Sequence, residues 1–289
     1  MKYLKKFATR AEYEAYVAAT DNFPLVAYIK DEKKVEYHPL LDYSLVPFYI
    51  KASEDLEVSF SRNTIQYSLD NEAWVDLPVG ESTPTIAAGN KVYFRAEGLS
   101  PVSTYGIGSF SISGRCDIGG NIMSLLYGDN FVDNIKMKSF AFYGLLKKQP
   151  IVNAFNLIMP SVTMAQACCH SMFSGCTSLE NAPALPATGM ALECYYSMFY
   201  GCKSLVNAPA LPATVLKTSC YSYMFYGCSN LAYIKMMVEG ELGGGSYTYQ
   251  WVKGVAANGT FVKNAAATWT DTFEEYAIPT GWTVETATE

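Results

Sequence analysis

Apolar and polar residues alternate in short runs between residues 41 and 115. A period of two places successive side chains on opposite faces of a strand, so each run predicts a strand with one buried face. Pairs of Asp, Asn, Gly and Pro separate the runs and predict turns. Six or seven short strands at this spacing are typical of a β-sandwich, immunoglobulin-like in the loose sense. The residues expected on buried faces are Leu56, Val58 and Phe60; Ile65, Tyr67 and Leu69; and Val92 and Phe94.

A different pattern occupies residues 1–40. Thr9 and Glu12 have the spacing of a capping box, in which each side chain bonds the other residue's free backbone N–H at a helix start. Three residues on one helix face follow, namely Tyr13, Tyr16 and Val17. The stretch PLVAYIKDEKKVEYHP then places two extended runs around a charged turn, which predicts a hairpin. An α/β unit of this size rarely folds alone, so we expect it to dock on a partner or on another copy of itself.

Internal repetition begins near residue 116 and continues to residue 238. Columns of cysteines, prolines and Met-Phe pairs advance by 26 residues, and SLENAPALPAT recurs as SLVNAPALPAT. A fixed period of about 20–29 residues with Leu at set positions is typical of a leucine-rich solenoid, in which each coil stacks on the next. An earlier copy without cysteines can be traced at FAFYGLLKKQPIVNAFNLIMP. The repeating residues are Cys168, Cys194 and Cys220; Cys176, Cys202 and Cys228; and Pro160, Pro186 and Pro212.

Residues 239–289 close the chain and are predicted to form a β-rich cap that holds Trp251, Trp269 and Trp282. The last coil of a solenoid would otherwise expose its apolar core and its sheet edge. With this cap, the predicted fold class is α+β and mostly β. The predicted order is a small N-terminal α/β unit (1–40), an immunoglobulin-like β-sandwich (41–115), a short leucine-rich-repeat solenoid (116–238) and the cap (239–289).

Two prolines interrupt the part of the repeat in which a solenoid places its parallel strand. Pro183 and Pro209 lack the N–H that a strand ladder needs. Short or irregular strands are therefore expected at these two positions of the repeat. The strand register from Leu179 to Pro186 stays open.

The six repeated cysteines admit three interpretations. CCHSMFSGC offers three Cys and one His for zinc, but His170 becomes Tyr196 and then Ser222 in later copies. A disulfide within a copy is disfavoured, because a helical segment holds these cysteines roughly 12 Å apart and a disulfide allows about 7 Å between Cα atoms. The favoured interpretation is that the cysteines are small apolar core residues, with Cys194, Met198 and Cys202 at i, i+4 and i+8 on one face of a helix or irregular helical turn. No metal or cofactor is expected, and the turn leaving this segment is predicted to use Gly175, Gly201 and Gly227.

Some positions between the cysteines vary from copy to copy and are predicted to face outward. They are His170 and Ser174, Tyr196 and Tyr200, and Ser222 and Tyr226. Tyrosine combines a large amphipathic ring with few rotatable bonds and therefore suits a contact surface. Tyr196, Tyr200 and Tyr226 are the candidate binding residues. The alternative is that these rings only cover a groove between coils.

Composition and charge disfavour several functional classes. Half of the residues are apolar and 17% are charged, so the chain is expected to bury a sizeable core. A net charge of −6 disfavours nucleic acid or an anionic membrane as a partner. With two histidines and no phosphate-loop, dinucleotide or metalloprotease motif, the chain is predicted not to be an enzyme. Neither a secretory signal nor a membrane span is predicted, because no apolar run has the required length.

The repeat frame MFxGCxSLxxAPALPAT resembles the BspA-like leucine-rich repeats. Such repeats occur in surface proteins of gut and oral bacteria and in proteins of phages that infect gut Bacteroides. The entry GNIMSLLYGDNF, the tail WVKGVAANGTFVKNAAATWTDTFEEYAIPTGWTVE and the start KYLKKFATRAEYEAYV are similar to segments of the same group. The resemblance covers residues 115–289 best. It implies a solenoid with a role in attachment or recognition, and it implies no catalytic residues.

Two expectations for function follow from the repeats and the resemblance. The first is a structural protein on the surface of a phage virion, a fibre, tail or head appendage that contacts the host. Its N-terminal unit would then bind other virion proteins, and a homotrimer would be compatible with a fibre. The alternative is an adhesin or glycan-binding leucine-rich-repeat protein on the bacterial cell surface. In both cases the external partner is a protein or glycan of the host surface.

Overall fold

The structure, a computed structural model, describes residues 4–7, 25–29, 34–38 and 45–287, except 104, 161–162, 241, 243–245, 268, 270–275 and 277. Within this part the chain is mostly β, as predicted, and its strands form four open sheets. Its helices are short, namely α1 (Ser124–Tyr127) and a 3-10 helix (Gly128–Asn130).

Three strands of the N-terminal region form the first sheet. They are β1 (Leu4–Phe7), β2 (Leu25–Ile29) and β3 (Lys34–His38). β2 and β3 pair antiparallel, which confirms the predicted hairpin, and β1 pairs parallel to β2. The predicted helix with its capping box at Thr9 and Glu12 lies outside the described residues.

A six-stranded sheet and a two-stranded sheet organise the residues that follow. The larger contains β4 (Tyr49–Ala52), β6 (Ile65–Ser68), β7 (Val75–Leu77), β8 (Lys91–Arg95), β10 (Cys116–Asn121) and β11 (Ile151–Ile158), and the smaller contains β5 (Val58–Phe60) and β9 (Phe110–Ile112). The order in the larger sheet is β11-β10-β4-β8-β6-β7. The ring of Phe110 in β9 lies 5.3 Å from that of Phe48 and 5.0 Å from that of Phe94, between centroids. The two sheets therefore share one apolar core.

Most of the predicted alternation in these strands is confirmed. Buried side chains include Leu56, Val58, Phe60, Ile65, Val92 and Phe94. The expectation for Leu69 is wrong, because this residue is 54% exposed and Ser68 is buried next to it. β6 ends at Ser68, whose hydroxyl donates to Asp70 Oδ1 at 2.8 Å as the chain turns. The period of two therefore already fails inside β6, where Tyr67 is only half-buried and Ser68 is buried.

β10 joins the predicted β-sandwich to the predicted repeats. It pairs antiparallel with β4 on one side and parallel with β11 on the other, so one sheet spans both regions. α1 follows directly after β10. The Ser124 hydroxyl fixes α1 in place, since it donates to Phe94 O at 2.8 Å and accepts from Phe48 N at 2.9 Å.

Five turn segments stack along the rest of the chain. The name covers residues 140–149, 167–176, 193–202, 219–228 and 246–255. Within a segment, successive backbone amides alternate between an acceptor in the same segment and an acceptor in the following segment. Tyr196 N donates to Glu193 O of its own segment at 3.1 Å, and the next amide, Ser197 N, donates to Ser222 O of the following segment at 2.9 Å. Each segment is thus held both by its own turns and by its neighbour, and the fifth segment continues the stack into the region predicted to be the cap.

Every fourth residue of a turn segment has a positive φ. In the third segment these residues are Glu193, Ser197 and Gly201, with φ of 55°, 53° and 69°. A left-handed residue at every fourth position interrupts the right-handed conformation that an α-helix needs. The helical interpretation of these segments is therefore wrong, and the irregular turn is the alternative that fits. The predicted use of glycine at the end of the turn is confirmed, since Gly175 and Gly227 have φ of 78° and 72°.

The opposite side of each coil, called the strand side below, is less regular. Between residues 178 and 216 the described residues form isolated bridges, such as Asn207 with Tyr233, and no strand. The interruption expected at Pro183 and Pro209 is thus observed, but it leaves isolated bridges where short or irregular strands were predicted. Regular pairing returns in a parallel sheet of β12 (Tyr233–Met236), β13 (Thr260–Lys263) and β14 (Thr283–Thr286).

Candidate functional site

The repeated cysteines lie inside the stack, and their predicted burial is confirmed. All six are free thiols without exposed surface. Cys202 Sγ donates to Phe173 O at 3.2 Å and Cys228 Sγ donates to Phe199 O at 3.0 Å, so a thiol satisfies a carbonyl of the preceding segment. Burial raises the pKa of Cys228 to about 12. Such a thiol stays neutral and unreactive at pH 7.

The stretch CCHSMFSGC divides its side chains between the inside and the outside of the stack. Cys168 and Cys169 are buried in the core, whereas the His170 ring lies on the outer side between two tyrosine rings. Among the described residues, no group of three or more His, Cys, Asp and Glu side chains could hold a metal ion. These residues therefore act in packing.

Aromatic rings also stack from coil to coil inside the core. One buried stack contains Phe173, Phe199 and Phe225. Its centroids are 5.5 and 5.7 Å apart, and its planes deviate by 9° or less. Tyr195 and Tyr221 form a second buried stack at 6.1 Å. Because Cys169 occupies the same position one copy earlier, variation between copies does not by itself mark an outer position.

Six aromatic side chains form a column on the outside of the turn segments, called the first ring column. Its members are Tyr143, His170, Tyr196, Tyr223, Tyr249 and Tyr276. His170 lies between Tyr143 and Tyr196, with centroids 4.3 and 4.6 Å away and planes inclined by 13°. From Tyr196 onward the rings meet at tilted or edge-on angles, with centroids 5.3 to 5.6 Å apart. The column bridges every interface between turn segments.

Tyr200 and Tyr226 form a second ring column beside the first. Their rings are almost parallel, with centroids 4.9 Å apart, and Tyr223 connects the two columns at 6.0 Å from Tyr226. Tyr200 is 40% exposed, and Tyr196 and Tyr226 are half-buried. Lys253 continues this line, with its ammonium 6.0 Å from the Tyr226 centroid. The two columns are together called the ring face, and they bring all three candidate binding residues together.

Two serines that were predicted to face outward are buried. The side chains of Ser174 and Ser222 are both buried, and the Ser222 hydroxyl donates a hydrogen bond to Ser246 O. In the fourth segment the ring comes instead from the next residue, Tyr223, which has a φ of 56°. The outward prediction for both serines is therefore wrong. For Ser222, the reason is that a strict step of 26 residues overlooks this shift by one position.

Sequence reasoning missed four members of the ring face, Tyr143, Tyr223, Tyr249 and Tyr276. Tyr143 and Tyr249 belong to the first and fifth segments, which lack the cysteines that aligned the other copies. A signal was present, because Tyr249 precedes Gly254 by five residues, as Tyr196 precedes Gly201. The glycine that ends a segment would therefore have extended the alignment to Tyr249, but not to Tyr223, which precedes Gly227 by four residues.

His170 and the two tyrosines that stack on it are uncharged at neutral pH. His170 Nδ1 is buried and has no hydrogen-bond partner among the described residues. Burial and, after it, the charge of Lys147 lower the pKa of His170 to about 4. Burial and the carboxylate of Glu193 raise the pKa of Tyr143 and Tyr196, so both phenols keep their protons.

No helix in the described part of the chain is long and apolar enough to cross a membrane. No family model, curated protein or solved structure matches this chain. The ring face offers ring edges and phenolic hydroxyls, and the Lys253 ammonium lies beside it; all of these are groups for non-covalent contact.

Proposed function

We propose that this chain is a non-enzymatic recognition and attachment protein that binds its partner through the ring face. The observation that carries the proposal is the continuity of the first ring column across all five turn segments. Rings held by their neighbours are ordered before binding, so little side-chain entropy is lost when a partner docks. Tyr200, the most exposed of the three candidates, would be the central anchor.

The proposal includes an architecture. We propose that the turn segments and the strand side form a short leucine-rich solenoid of the BspA-like kind, preceded by an immunoglobulin-like sandwich. Support for the solenoid comes from the four interfaces bonded from one turn segment to the next and from the parallel sheet at its end. Support for the sandwich comes from Phe110, whose ring joins the two sheets.

The proposed setting is the surface of a phage virion, as a fibre, tail or head appendage. The resemblance of the repeat frame supports this setting. The N-terminal unit would bind other virion proteins, and a homotrimer would suit a fibre. The alternative is an adhesin of the bacterial cell surface. Capsid, portal or tail genes beside the coding sequence would favour the virion, and gold-labelled antibody on cells but not on particles would favour the adhesin.

The test of recognition uses the fluorescently labelled full chain and a panel of intact gut bacteria, with cell labelling read by flow cytometry. We expect a subset of strains to be labelled. Replacing Tyr200 and Tyr226 together by Ser should reduce labelling about tenfold, because aromatic anchors carry most of the energy of such contacts. The matched control is Tyr233→Ser on the strand side, where the side chain is 36% exposed.

Two outcomes would contradict the proposal. One is the absence of labelling on every strain of a broad panel. The other is equal labelling by the ring-face variant and the strand-side variant, which would move recognition away from the ring face. Melting temperatures of both variants must match that of the parent chain, since a loss of fold would also reduce labelling.

A further inference from the structure

We propose that the ring face binds a linear acidic polysaccharide, an inference that rests on the proposed recognition function and names the chemistry of its partner. Its first basis is charge. The five turn segments contain Lys147, Lys148 and Lys253 and one acidic residue, Glu193, whereas the whole chain carries a net charge of −6. Lys203 and Lys217 flank two of the segments. Basic groups are thus concentrated on the side of the ring face in an acidic protein.

The strand side of the same coils has the opposite balance. Between residues 178 and 287 the described acidic residues on that side are Glu180, Glu239 and Glu285, against Lys235 and Lys263. All five lysines of the turn side are exposed, and none pairs with a carboxylate in the described part of the chain. Among the described residues, an anionic chain is therefore attracted more strongly to the turn side of the stack than to the strand side.

The second basis is the position of the lysines relative to the rings. Backbone amides at the segment ends donate in one line to the carbonyls of Ser174, Tyr200, Tyr226 and Lys253. Lys147 directly precedes Lys148, whose amide donates to Ser174 O at 2.8 Å. Lys253 thus extends the second ring column beyond Tyr226. Lys147 lies on the same line in the first segment, beyond Tyr200. A linear polymer following this line would meet cations at both ends and phenols between them.

The third basis is the orientation of the rings. Tyr200 and Tyr226 each cover one face of the other ring, and both faces of His170 are covered by its two neighbours, so these stacks offer mainly edges and hydroxyls. Ring edges are electropositive, and protonated phenols donate hydrogen bonds. A polymer rich in hydroxyl and carboxylate or sulfate oxygens accepts from such a surface.

Single-stranded nucleic acid is the other anionic polymer to consider, and the ring geometry disfavours it. Bases bind protein aromatics by stacking on free ring faces. A neighbouring ring 4.3 to 4.9 Å away covers both faces of His170 and one face each of Tyr143, Tyr196, Tyr200 and Tyr226, which leaves no gap for a base between the stacked rings. Sugar rings need no such face when hydroxyls and carboxylates make the contacts. The geometry therefore favours the polysaccharide.

The experiment measures binding of the full chain to immobilised polygalacturonate, hyaluronan and heparin by biolayer interferometry. Uncharged dextran and single-stranded poly(dT) serve as comparisons. We expect at least one acidic polysaccharide to bind, dextran not to bind, and binding to weaken steeply with added NaCl because screening acts on exposed charges. A lack of binding to all three, or tighter binding of poly(dT) than of each, would overturn the inference.

Variants locate the binding on the ring face. Lys147→Gln with Lys253→Gln removes two charges, and Tyr200→Phe with Tyr226→Phe removes two hydroxyls while keeping the rings stacked. Each pair should weaken binding about tenfold, which corresponds to about 1.4 kcal/mol. The charge-matched control, Lys235→Gln with Lys263→Gln on the strand side, should change binding less than about twofold. Equal effects of the two lysine pairs would overturn the inference.

The cell-labelling test separates this inference from the function on which it rests. Cells labelled through the ring face without binding to any acidic polysaccharide would leave recognition standing and refute the polysaccharide. Failure of both tests would refute both.

Discussion

The two sides of the same stack differ in how strictly they repeat. On the turn side, alternate amides cross every interface, and a left-handed residue returns at every fourth position of all five segments. On the strand side, the middle coils keep isolated bridges such as Asn207 with Tyr233, and they contain prolines. The register of the stack is thus set by turns, while the strand side tolerates interruption. In these coils the regular element is a turn, where a strand would be the usual expectation.

The largest effect that separates the two sides should come from alkaline pH. Thiols of an unfolded chain ionise near pH 8.5, whereas burial raises the pKa of Cys176, Cys220 and Cys228 on the turn side to about 12. Above pH 8.5 the unfolded chain binds fewer protons than the folded chain, so stability is intact below that pH and is lost as pH rises toward 12. At pH 10 each cysteine should lower the free energy of unfolding by roughly 2 kcal/mol.

Urea titrations at pH 7, 8.5 and 10 would measure this loss. Cys220→Ala is the matched variant, because it removes one of the titrating thiols and should make the decline with pH shallower by one cysteine's share. Parallel pH profiles for the parent and this variant would contradict the assignment of the decline to buried thiols.

A slightly smaller effect is expected from the phenylalanine stack of the core. Phe199→Ala removes a ring that lies between two others and should cost about 3–5 kcal/mol of unfolding free energy. The same substitution on the strand side, Phe155→Ala, removes a ring that is 43% exposed and should cost less than about 1 kcal/mol. Chemical denaturation measures the free energy of unfolding of both variants. Similar losses would mean that the two sides contribute equally to stability.

The smallest effect concerns the backbone alone. Gly201 has a φ of 69° and open space where a Cβ would lie, so Gly201→Ala introduces strain without a clash. A left-handed non-glycine residue costs about 1–2 kcal/mol. Gly240→Ala, also without a neighbour within 4 Å and without a positive φ, should change stability by less than about 0.5 kcal/mol. Thermal melts measure the melting temperatures of both variants. An equal decrease would show that the left-handed turn does not set the register of the stacked segments.

Much of the fold could be predicted from sequence because it depends on burial and on punctuation by Gly and Pro. Leu56, Val58 and Phe60 followed the period of a strand, and their burial is confirmed. The cysteine columns predicted the repeat and the residues of its core. Pro183 and Pro209 predicted where regular strand pairing is interrupted. Each of these signals is local or strictly periodic, and therefore visible without a structure.

The parts that sequence reasoning missed depend on backbone conformation that residue type does not determine. Glu193 and Ser197 are left-handed although neither is a glycine, so the segment looked helical. Ser222 was taken as outward by counting 26 residues, but Tyr223 carries the ring. Tyr195 is fully buried although its position varies between copies. Of the ring face, the three candidate tyrosines were therefore found and the length of the column was not.

The alternation of bonds within and between turn segments also bears on how such a chain can change length. Because the donors of one segment match the acceptors of the next, a unit of 26 residues can be gained or lost without a mismatched interface. SLENAPALPAT and SLVNAPALPAT are near-identical sequences at which recombination could add or remove one unit. Each such event would move the C-terminal end by about 4.8 Å, the spacing of adjacent strands. In the proposed solenoid, the reach of the protein would therefore change in whole steps of one repeat, with the same hydrogen bonds at each interface.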